Sequence, residues 1–224
     1  MNSTLPAPPT ASSTFAELDP RPFLAKAMAL GGTAVAAVCP EQLTNPTPCG
    51  SYDVRELLGH LHGALDRLAV VGRNVENPFA RPEEFFPEDG DWVHLWKQFS
   101  DEVTAAWLDD DALVSPTMLP WAAESGSLAM RTYVAEISIH TWDLAKATGQ
   151  EPSWDIDVLT LSVDVMRAVL PAAGRSEMFD AIRATMPSEM QGEPDPYDAA
   201  VAVPADAPLI DQLVAHVGRN PAWE

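Results

Sequence analysis

The chain has 224 residues, of which 46% are hydrophobic, enough for one globular domain with a sizeable core or for one domain with a small addition. Its 33 acidic residues outnumber 13 basic ones and give a formal net charge of −20. Nucleic acids and anionic membranes are bound through clustered lysine and arginine, so this balance argues against both partners. An anionic substrate would need local arginine or lysine to oppose the overall field.

The first fourteen residues are rich in serine, threonine, proline and alanine, and they lack the charged start and apolar stretch of a secretory signal. We predict a disordered lead-in over 1–14. Cys39 and Cys49 are the only cysteines of the chain. Two cysteines do not make a disulfide framework, and without an export signal we expect reduced thiols in a cytoplasmic protein.

Apolar residues recur at helical spacing in four long segments. These segments are 22–38, 53–75, 91–108 and 127–148. Asp53 and Glu56 have the spacing of a capping box at the start of the second segment, and Gly149 marks the end of the fourth. Four long amphipathic helices predict an all-α protein built on a four-helix bundle.

The remaining segments are less regular. The acidic run 109–111 suggests a helix end, although acidic residues there oppose the helix dipole. After the bundle we predict helices over 156–170, 177–184 and 206–217, with a short extended piece at 201–204. The predicted organisation has three parts, a lead-in at 1–14, a metal-binding bundle at 15–150 and a C-terminal helical extension at 151–224 that packs on the bundle.

Glu136 and His140 are the most informative pair in the chain, because residues four apart lie on one face of a helix. Their surroundings are strongly apolar, and a buried carboxylate or imidazole needs a partner. A divalent metal ion would satisfy both side chains, since both are good ligands. The same spacing also suits a direct hydrogen bond between them, so a metal site requires a third ligand elsewhere.

The second helix offers two candidates for that ligand, His60 and His62. They lie on opposite edges of the apolar stripe, because residues two apart point to different sides of a helix. Either could reach the pair across a bundle, where metal sites are built from facing helices. Periodicity alone does not decide between them.

Several stretches resemble a known family. Residues 46–49 and 54–61 (VRELLGHL) resemble the start of the mycothiol-dependent maleylpyruvate isomerase metal-binding domain, a branch of the DinB-like superfamily. Residues 136–149 (EISIHTWDLAKATG) resemble its second signature, while 200–208 and 218–221 resemble the C-terminal motif of an uncharacterised subgroup.

The resemblance implies a DinB-like four-helix bundle with one divalent metal, usually zinc, near one end. The family's ligand pattern falls on His60, Glu136 and His140, which leaves His62 as a surface histidine or a support for a ligand. Histidine and glutamate also suit nickel, iron or manganese. Three protein ligands leave zinc one open position, which is typical of catalytic sites.

The resemblance further implies a small thiol, mycothiol, as cosubstrate. Held as a thiolate, it would add to a small electrophilic substrate in a transferase or isomerase reaction. Two alternatives stay open, a metal-dependent hydrolase and a non-catalytic, metal-stabilised binding or stress-response module. The maleylpyruvate isomerase itself has a larger C-terminal domain, so the short tail here argues against maleylpyruvate as substrate. We expect a monomer or a weak homodimer.

Five further residues are candidates for roles near the predicted metal and substrate. Asp143, one turn after His140, is a candidate for orienting a ligand or the thiol. Arg131 is interpreted as the partner of an acidic neighbour rather than of a substrate. Trp121 and Trp142 have the spacing of core aromatics. Cys49 has no histidine partner that sequence reveals, so we expect a packed thiol.

Overall fold

We describe the protein from a computed structural model, for residues 18–50, 52–74, 77–88, 90–186 and 195–223. Within these residues the chain forms eight α-helices and no β-strand, and its one isolated bridge joins Pro46 to Asp53. The predicted all-α class is therefore confirmed, and the predicted lead-in 1–14 lies outside the described residues. No helix in this part of the chain is long and apolar enough to cross a bilayer.

The helices follow one another with short connections, and two of the connections contain a single 3₁₀ turn each, at Pro40–Gln42 and Pro78–Ala80. The helices are α1 (Arg21–Ala36), α2 (Val54–Arg73), α3 (Trp92–Ala106), α4 (Asp110–Val114), α5 (Gly126–Thr148), α6 (Ile156–Val169), α7 (Arg175–Arg183) and α8 (Leu209–His216).

Four of these helices, α1, α2, α3 and α5, form the bundle, because each packs against two of the others. Helix α5 is apolar and buried over most of its surface, since α6 covers the side that the bundle leaves open. Helix α8 packs on α6 and touches α5. Helices α6 and α8 thus lie against helix α5 of the bundle.

The predicted helix ends are confirmed where capping residues marked them. The carboxylate of Asp53 accepts a hydrogen bond from the Glu56 backbone N–H, and the Glu56 carboxylate accepts one from the Asp53 N–H, both at 2.9 Å. This capping box begins α2. Helix α5 ends at Gly149, whose φ of 72° is the left-handed conformation that glycine adopts at helix ends.

One sequence interpretation is wrong. The acidic run at 109–111 begins a helix instead of ending one, because the Asp109 side chain accepts from the Asp111 N–H and caps α4. Acidic residues in this first turn favour the helix dipole. Residues 201–204, predicted as a short extended piece, belong to no helix or sheet, and the Val201 N–H donates to the Ala215 carbonyl of α8 at 2.8 Å.

The loop between α2 and α3 crosses α2 at two glycines. The Phe85 N–H donates to the Gly59 carbonyl at 3.0 Å. A Cβ added at Gly63 would lie 1.8 Å from the Glu83 carbonyl oxygen, so only glycine permits this approach. A Cβ at Gly59 would instead meet side-chain atoms, the ring of Phe86 at 2.8 Å and Cβ of Glu84 at 3.3 Å, and Phe86 is 41% exposed. The loop is thereby held against the face of α2 that carries His60.

These two glycines give a matched pair of substitutions. We expect Gly63→Ala to lower the free energy of unfolding by about 2 kcal/mol, because the loop backbone must move away from the helix. Gly59→Ala should change it little, because the gain of up to about 1 kcal/mol in helix propensity offsets the displacement of one exposed ring. Urea unfolding followed by circular dichroism measures both, and equal effects would contradict the proposed backbone contact.

Candidate metal centre

The three predicted ligands meet between α2 and α5. The Oε1 atom of Glu136 lies 3.2 Å from Nε2 of His60 and 3.2 Å from Nε2 of His140. All three ligand atoms lie within 4.8 Å of one another. The His140 side chain is 4% exposed, whereas those of His60 and Glu136 are 20% and 22% exposed. The cluster is therefore partly exposed on the side of His60 and Glu136.

A carboxylate fixes the orientation of His140. The Nδ1 atom of His140 lies 2.9 Å from Oδ2 of Asp143, whose side chain is fully buried. An ionised carboxylate only accepts, so Nδ1 carries a proton, and Nε2 is the ring nitrogen that faces Glu136. Carboxylates hold metal-binding histidines in this way. The contact of Asp143 with His140 agrees with the prediction that Asp143 orients a ligand.

Asp143 has a second partner, Arg219, which the sequence did not single out. Its Nε and Nη2 atoms lie 3.4 Å from Oδ1 and Oδ2 of Asp143, and the Arg219 side chain is 8% exposed. Gly218, with φ of 90°, ends α8, and the Arg219 N–H donates to the Val214 carbonyl. This turn points Arg219 back toward α5.

Cys49 completes this side of the cluster. Its Sγ lies 3.1 Å from Nη2 of Arg219, and its ligand atom is within 4.8 Å of those of His140 and Asp143. Its loop is tied to the end of α5, where the Asn45 amide donates to the Ala147 carbonyl at 2.9 Å. Cys49 packs on the core as predicted, and its sulfur lies beside His140, a neighbour that the sequence did not reveal.

The C-terminal extension also reaches Glu136. The Tyr197 hydroxyl donates to Oε2 of Glu136, which leaves Oε1 facing the two histidines. The backbone of the next residue, Asp198, accepts from the buried side chain of Arg175. A carboxylate with one oxygen held by a tyrosine and the other shared by two imidazoles has its orientation fixed. The extension therefore contributes to the cluster directly.

Burial and opposite charges act against each other in the central pair. Burial raises the pKa of Glu136, but the charges and hydrogen bonds of His140 and His60 lower it by more, leaving it well below 4.5. Burial lowers the pKa of His140, but Glu136, Cys49 and Asp143 together raise it well above 6.5. In the absence of a metal the pair is therefore ionised near neutral pH.

His62 does not face the cluster. Its ring nitrogens lie 2.6 Å from the Leu58 carbonyl and 3.1 Å from the Trp92 carbonyl, and its ring packs among Trp92, Trp96 and Phe99. The side chain is fully buried, so the expectation of a surface histidine or a ligand support is wrong. Its position faces α3, because it lies on the other edge of the buried stripe of α2.

The other sequence candidates also lie away from the ligands. Arg131 is buried, donates to the Leu18 carbonyl and interacts with the charge of Asp19, which agrees with the predicted acidic neighbour. Trp142 is 5% exposed, with the Lys146 ammonium 5.7 Å from its ring centroid. Trp121 packs on the core and is partly buried. Both tryptophans are core residues.

The comparison with known proteins places the chain in a family. The model of the "Mycothiol maleylpyruvate isomerase N-terminal domain" matches residues 24–145, more than half of the chain. The chain belongs to this family. The resemblance inferred from the motifs is therefore confirmed, and it associates the chain with a metal-binding, mycothiol-related domain. The matched range contains His60, Glu136, His140 and Asp143, whereas Tyr197 and Arg219 lie beyond it.

Similar proteins occur in Mycobacterium tuberculosis. Uncharacterized proteins of strains CDC 1551 / Oshkosh and H37Rv are each 24% identical to this chain over 186 residues, which are 83% of this chain and 90% of the relative. They fit the uncharacterised subgroup that the C-terminal motif indicated. No solved structure matches the chain.

The ionised pair predicts a pH window. The lowered carboxyl pKa contributes stability that is present above pH 4.5 and is lost as the pH falls through the carboxyl pKa of the folded protein. The raised histidine pKa contributes stability that is present below pH 6.5 and is lost as the pH rises through the histidine pKa of the folded protein. We expect Glu136→Gln to destabilise the metal-free protein most between pH 4.5 and 6.5, by about 3 kcal/mol.

Chemical denaturation of chelator-treated protein across pH measures this difference. The control is Glu124→Gln, which removes an exposed carboxylate at a distance from the cluster. Its curve should follow that of the wild type at every pH. A Glu136→Gln curve that also stays parallel to the wild type would contradict the ionised pair.

Proposed function

We propose that the chain binds one divalent metal, zinc, through His60, Glu136 and His140, and that it is a thiol-dependent transferase or isomerase. In this proposal mycothiol is the thiol and a small electrophilic molecule is the second substrate. The observation that carries it is the shared Oε1 of Glu136, 3.2 Å from both imidazole nitrogens. Family membership supports a metal-binding domain and mycothiol as the thiol, and the choice of zinc rests on the donor set.

The donor set fits a divalent cation. Two imidazole nitrogens and one carboxylate oxygen are the ligands of catalytic zinc sites with an open position. Asp143 holds the proton of His140 on Nδ1, so the Nε2 lone pair is free for coordination. The cation would also neutralise the buried carboxylate and displace the second proton of His140. When bound, such an ion supplies Lewis acidity that favours a thiolate over a thiol at neutral pH.

Other residues of the chain position the proposed ligands and compensate the buried negative charge beside them. Tyr197 fixes Oε2 of Glu136, so the carboxylate offers its other oxygen. Arg219 balances the buried charge of Asp143, which would otherwise be costly to bury beside Glu136. The remaining charge of Arg219 lies beside Cys49 Sγ, at the edge where negative charge on an incoming sulfur would be stabilised.

The proposed reaction is reversible addition of the thiol. The thiol loses its proton and its sulfur forms a C–S bond with the electrophilic carbon, and the adjacent carbon then takes up a proton to complete a transfer. If the C–S bond instead breaks after rotation about the former double bond, the thiol is regenerated and the substrate is isomerised. Both outcomes use the same addition step and require no redox reagent.

The metal assignment is tested by histidine replacement. We expect His140→Ala to lose most of its metal affinity, tenfold or more, because one direct bond and the Asp143 support are removed. His62→Ala should retain the affinity, since its ring faces α3. Elemental analysis after dialysis against a zinc buffer measures both. Loss of metal in His62→Ala with retention in His60→Ala would overturn the ligand set.

The reaction class is tested with metal-loaded protein, mycothiol and a panel of electrophiles. Mass spectrometry should detect thioether adducts or isomerised substrate, and these should disappear in His140→Ala. Hydrolysis of an ester or amide panel without added thiol would favour a hydrolase. A protein that melts when the metal is removed and forms no adducts would favour a metal-stabilised binding module.

A further inference from the structure

The two carboxylate oxygens of Glu136 face different parts of the chain. Oε1 lies 3.2 Å from Nε2 of His60 and 3.2 Å from Nε2 of His140, inside the cluster of proposed ligands. Oε2 accepts the hydrogen bond from the hydroxyl of Tyr197, which belongs to the C-terminal extension. As long as the Tyr197 contact is kept, the Glu136 carboxylate offers a cation only its Oε1 atom.

Tyr197 lies in a segment without regular secondary structure, and side chains of α7 hold this segment in place. Two residues before Tyr197, the Asp195 carboxylate accepts hydrogen bonds from the Ser176 hydroxyl and from Nη1 of Arg183, both at 2.7 Å. The ring centroid of Tyr197 lies 6.5 Å from that of Phe179. Helix α7 therefore anchors the chain on the N-terminal side of Tyr197.

The backbone that follows Tyr197 is held as well. The carbonyl of Asp198 accepts a hydrogen bond from the buried side chain of Arg175. The turn at Gly218 approaches Asp198 so closely that a Cβ added at Gly218 would lie 2.6 Å from the Asp198 Cβ and 2.9 Å from its carbonyl oxygen. Because the chain is anchored on both sides of Tyr197, the position of the Tyr197 hydroxyl is fixed.

The number of Glu136 oxygens that coordinate decides whether the proposed site stays open. A carboxylate can bind a cation through one oxygen or through both. Catalytic zinc has three protein ligands and keeps the fourth position for water or substrate. If both oxygens of Glu136 coordinated, the carboxylate and the two imidazoles would supply four donor atoms and fill that position. Coordination through Oε2 would also cost the charge-assisted hydrogen bond from Tyr197.

We propose that Tyr197 is a positioning residue that keeps Oε2 of Glu136 away from the metal ion and thereby reserves one coordination position for the thiol. This inference rests on the proposed metal site, and the use of the reserved position rests on the proposed thiol reaction. The three ligands lie within the residues that the family model matches, whereas Tyr197 lies beyond them. The extension would therefore control how a metal site of the bundle is used.

Crystal structures of the zinc-loaded protein read the coordination directly. In the wild type we expect Oε1 of Glu136 at bonding distance, about 2.0–2.2 Å, with Oε2 still on Tyr197. In Tyr197→Phe we expect both oxygens at bonding distance, because the donor that competes for Oε2 is gone. Two bonded oxygens in the wild type, or a single bonded oxygen in both proteins, would overturn the proposal.

The open position is measured on the Co²⁺-loaded protein with 2-mercaptoethanol, a small uncharged thiol, through its sulfur-to-cobalt charge-transfer absorption. We expect Tyr197→Phe to bind this thiol at least about tenfold more weakly, because Oε2 competes for the position. Its affinity for the metal, measured by competition with a chromophoric chelator, should stay within about threefold of the wild type, since the second oxygen offsets the lost orientation of the carboxylate.

A residue that only orients Glu136 gives the opposite pattern. Its removal lowers metal affinity by about tenfold or more and leaves the thiol affinity of the loaded protein unchanged. That pattern in Tyr197→Phe would overturn the proposal.

Tyr133→Phe is the matched control. Tyr133 is buried, lies three residues before Glu136 on α5, and has a hydroxyl that hydrogen-bonds with Arg67. The substitution removes the same hydroxyl from the same kind of ring near the centre and leaves Oε2 on Tyr197. It should keep the wild-type affinities for thiol and metal, and an equal loss of thiol affinity in both variants would overturn the proposal. Melting curves establish that both variants are folded.

Azide separates this proposal from the proposed function, because it binds to an open metal position without sulfur chemistry. A wild type that binds azide but not 2-mercaptoethanol, with azide affinity lowered in Tyr197→Phe, would overturn the thiol reaction and support the role of Tyr197. Equal thiol affinity in the wild type and Tyr197→Phe would overturn the role of Tyr197 and leave the thiol reaction standing.

Discussion

The burial of two carboxylates and an imidazole in an otherwise apolar bundle is the constraint on which the structure depends. Unpaired, these groups would destabilise the fold by several kcal/mol each, at about the scale of the total stability of a small domain. Their partners come from different parts of the chain. His60 comes from α2 and Cys49 from the preceding loop, while Tyr197 and Arg219 come from the C-terminal extension.

Each of the two carboxylates is held by its own pair of partners. Glu136 has one oxygen held by Tyr197 and the other facing the two imidazoles. Asp143 has His140 on one side and Arg219 on the other. Because each carboxylate is held by two partners, the positions of the ligand atoms are fixed before any ion arrives. Such preorganisation lowers the cost of binding. The short extension thus supports the centre although it does not form a bundle of its own.

The fold was predictable because helical periodicity and capping residues are local signals. The capping box at Asp53 and the glycine at 149 gave helix ends that agree with the structure. Local sequence signals could not decide whether His60 or His62 faces the cluster. Both edges of α2 are buried, and only the neighbouring helices distinguish them. The family resemblance selected His60, whose ring lies nearer α5.

The residues that sequence reasoning missed are those whose partners are far away in the chain. Arg219 and Cys49 are 170 residues apart, and nothing in the local pattern of either one relates them. Arg219 follows a glycine within the motif at 218–221, which was the one signal that could have drawn attention to it. Tyr197 lies in an irregular segment with no period at all. The acidic run at 109–111 lies in the short connection between α3 and α4, so its position along the chain did not distinguish the end of one helix from the start of the next.

The separation of 170 residues between Cys49 and Arg219 also sets an order for biosynthesis. All three proposed ligands have left the ribosome once α5 has emerged, whereas Tyr197 and Arg219 follow after α6 and α7. Domains fold as their segments emerge, from the N-terminus onward. A nascent bundle therefore brings the three proposed ligands together without Tyr197 and Arg219, and the ligand atoms reach their final positions only when the extension has followed.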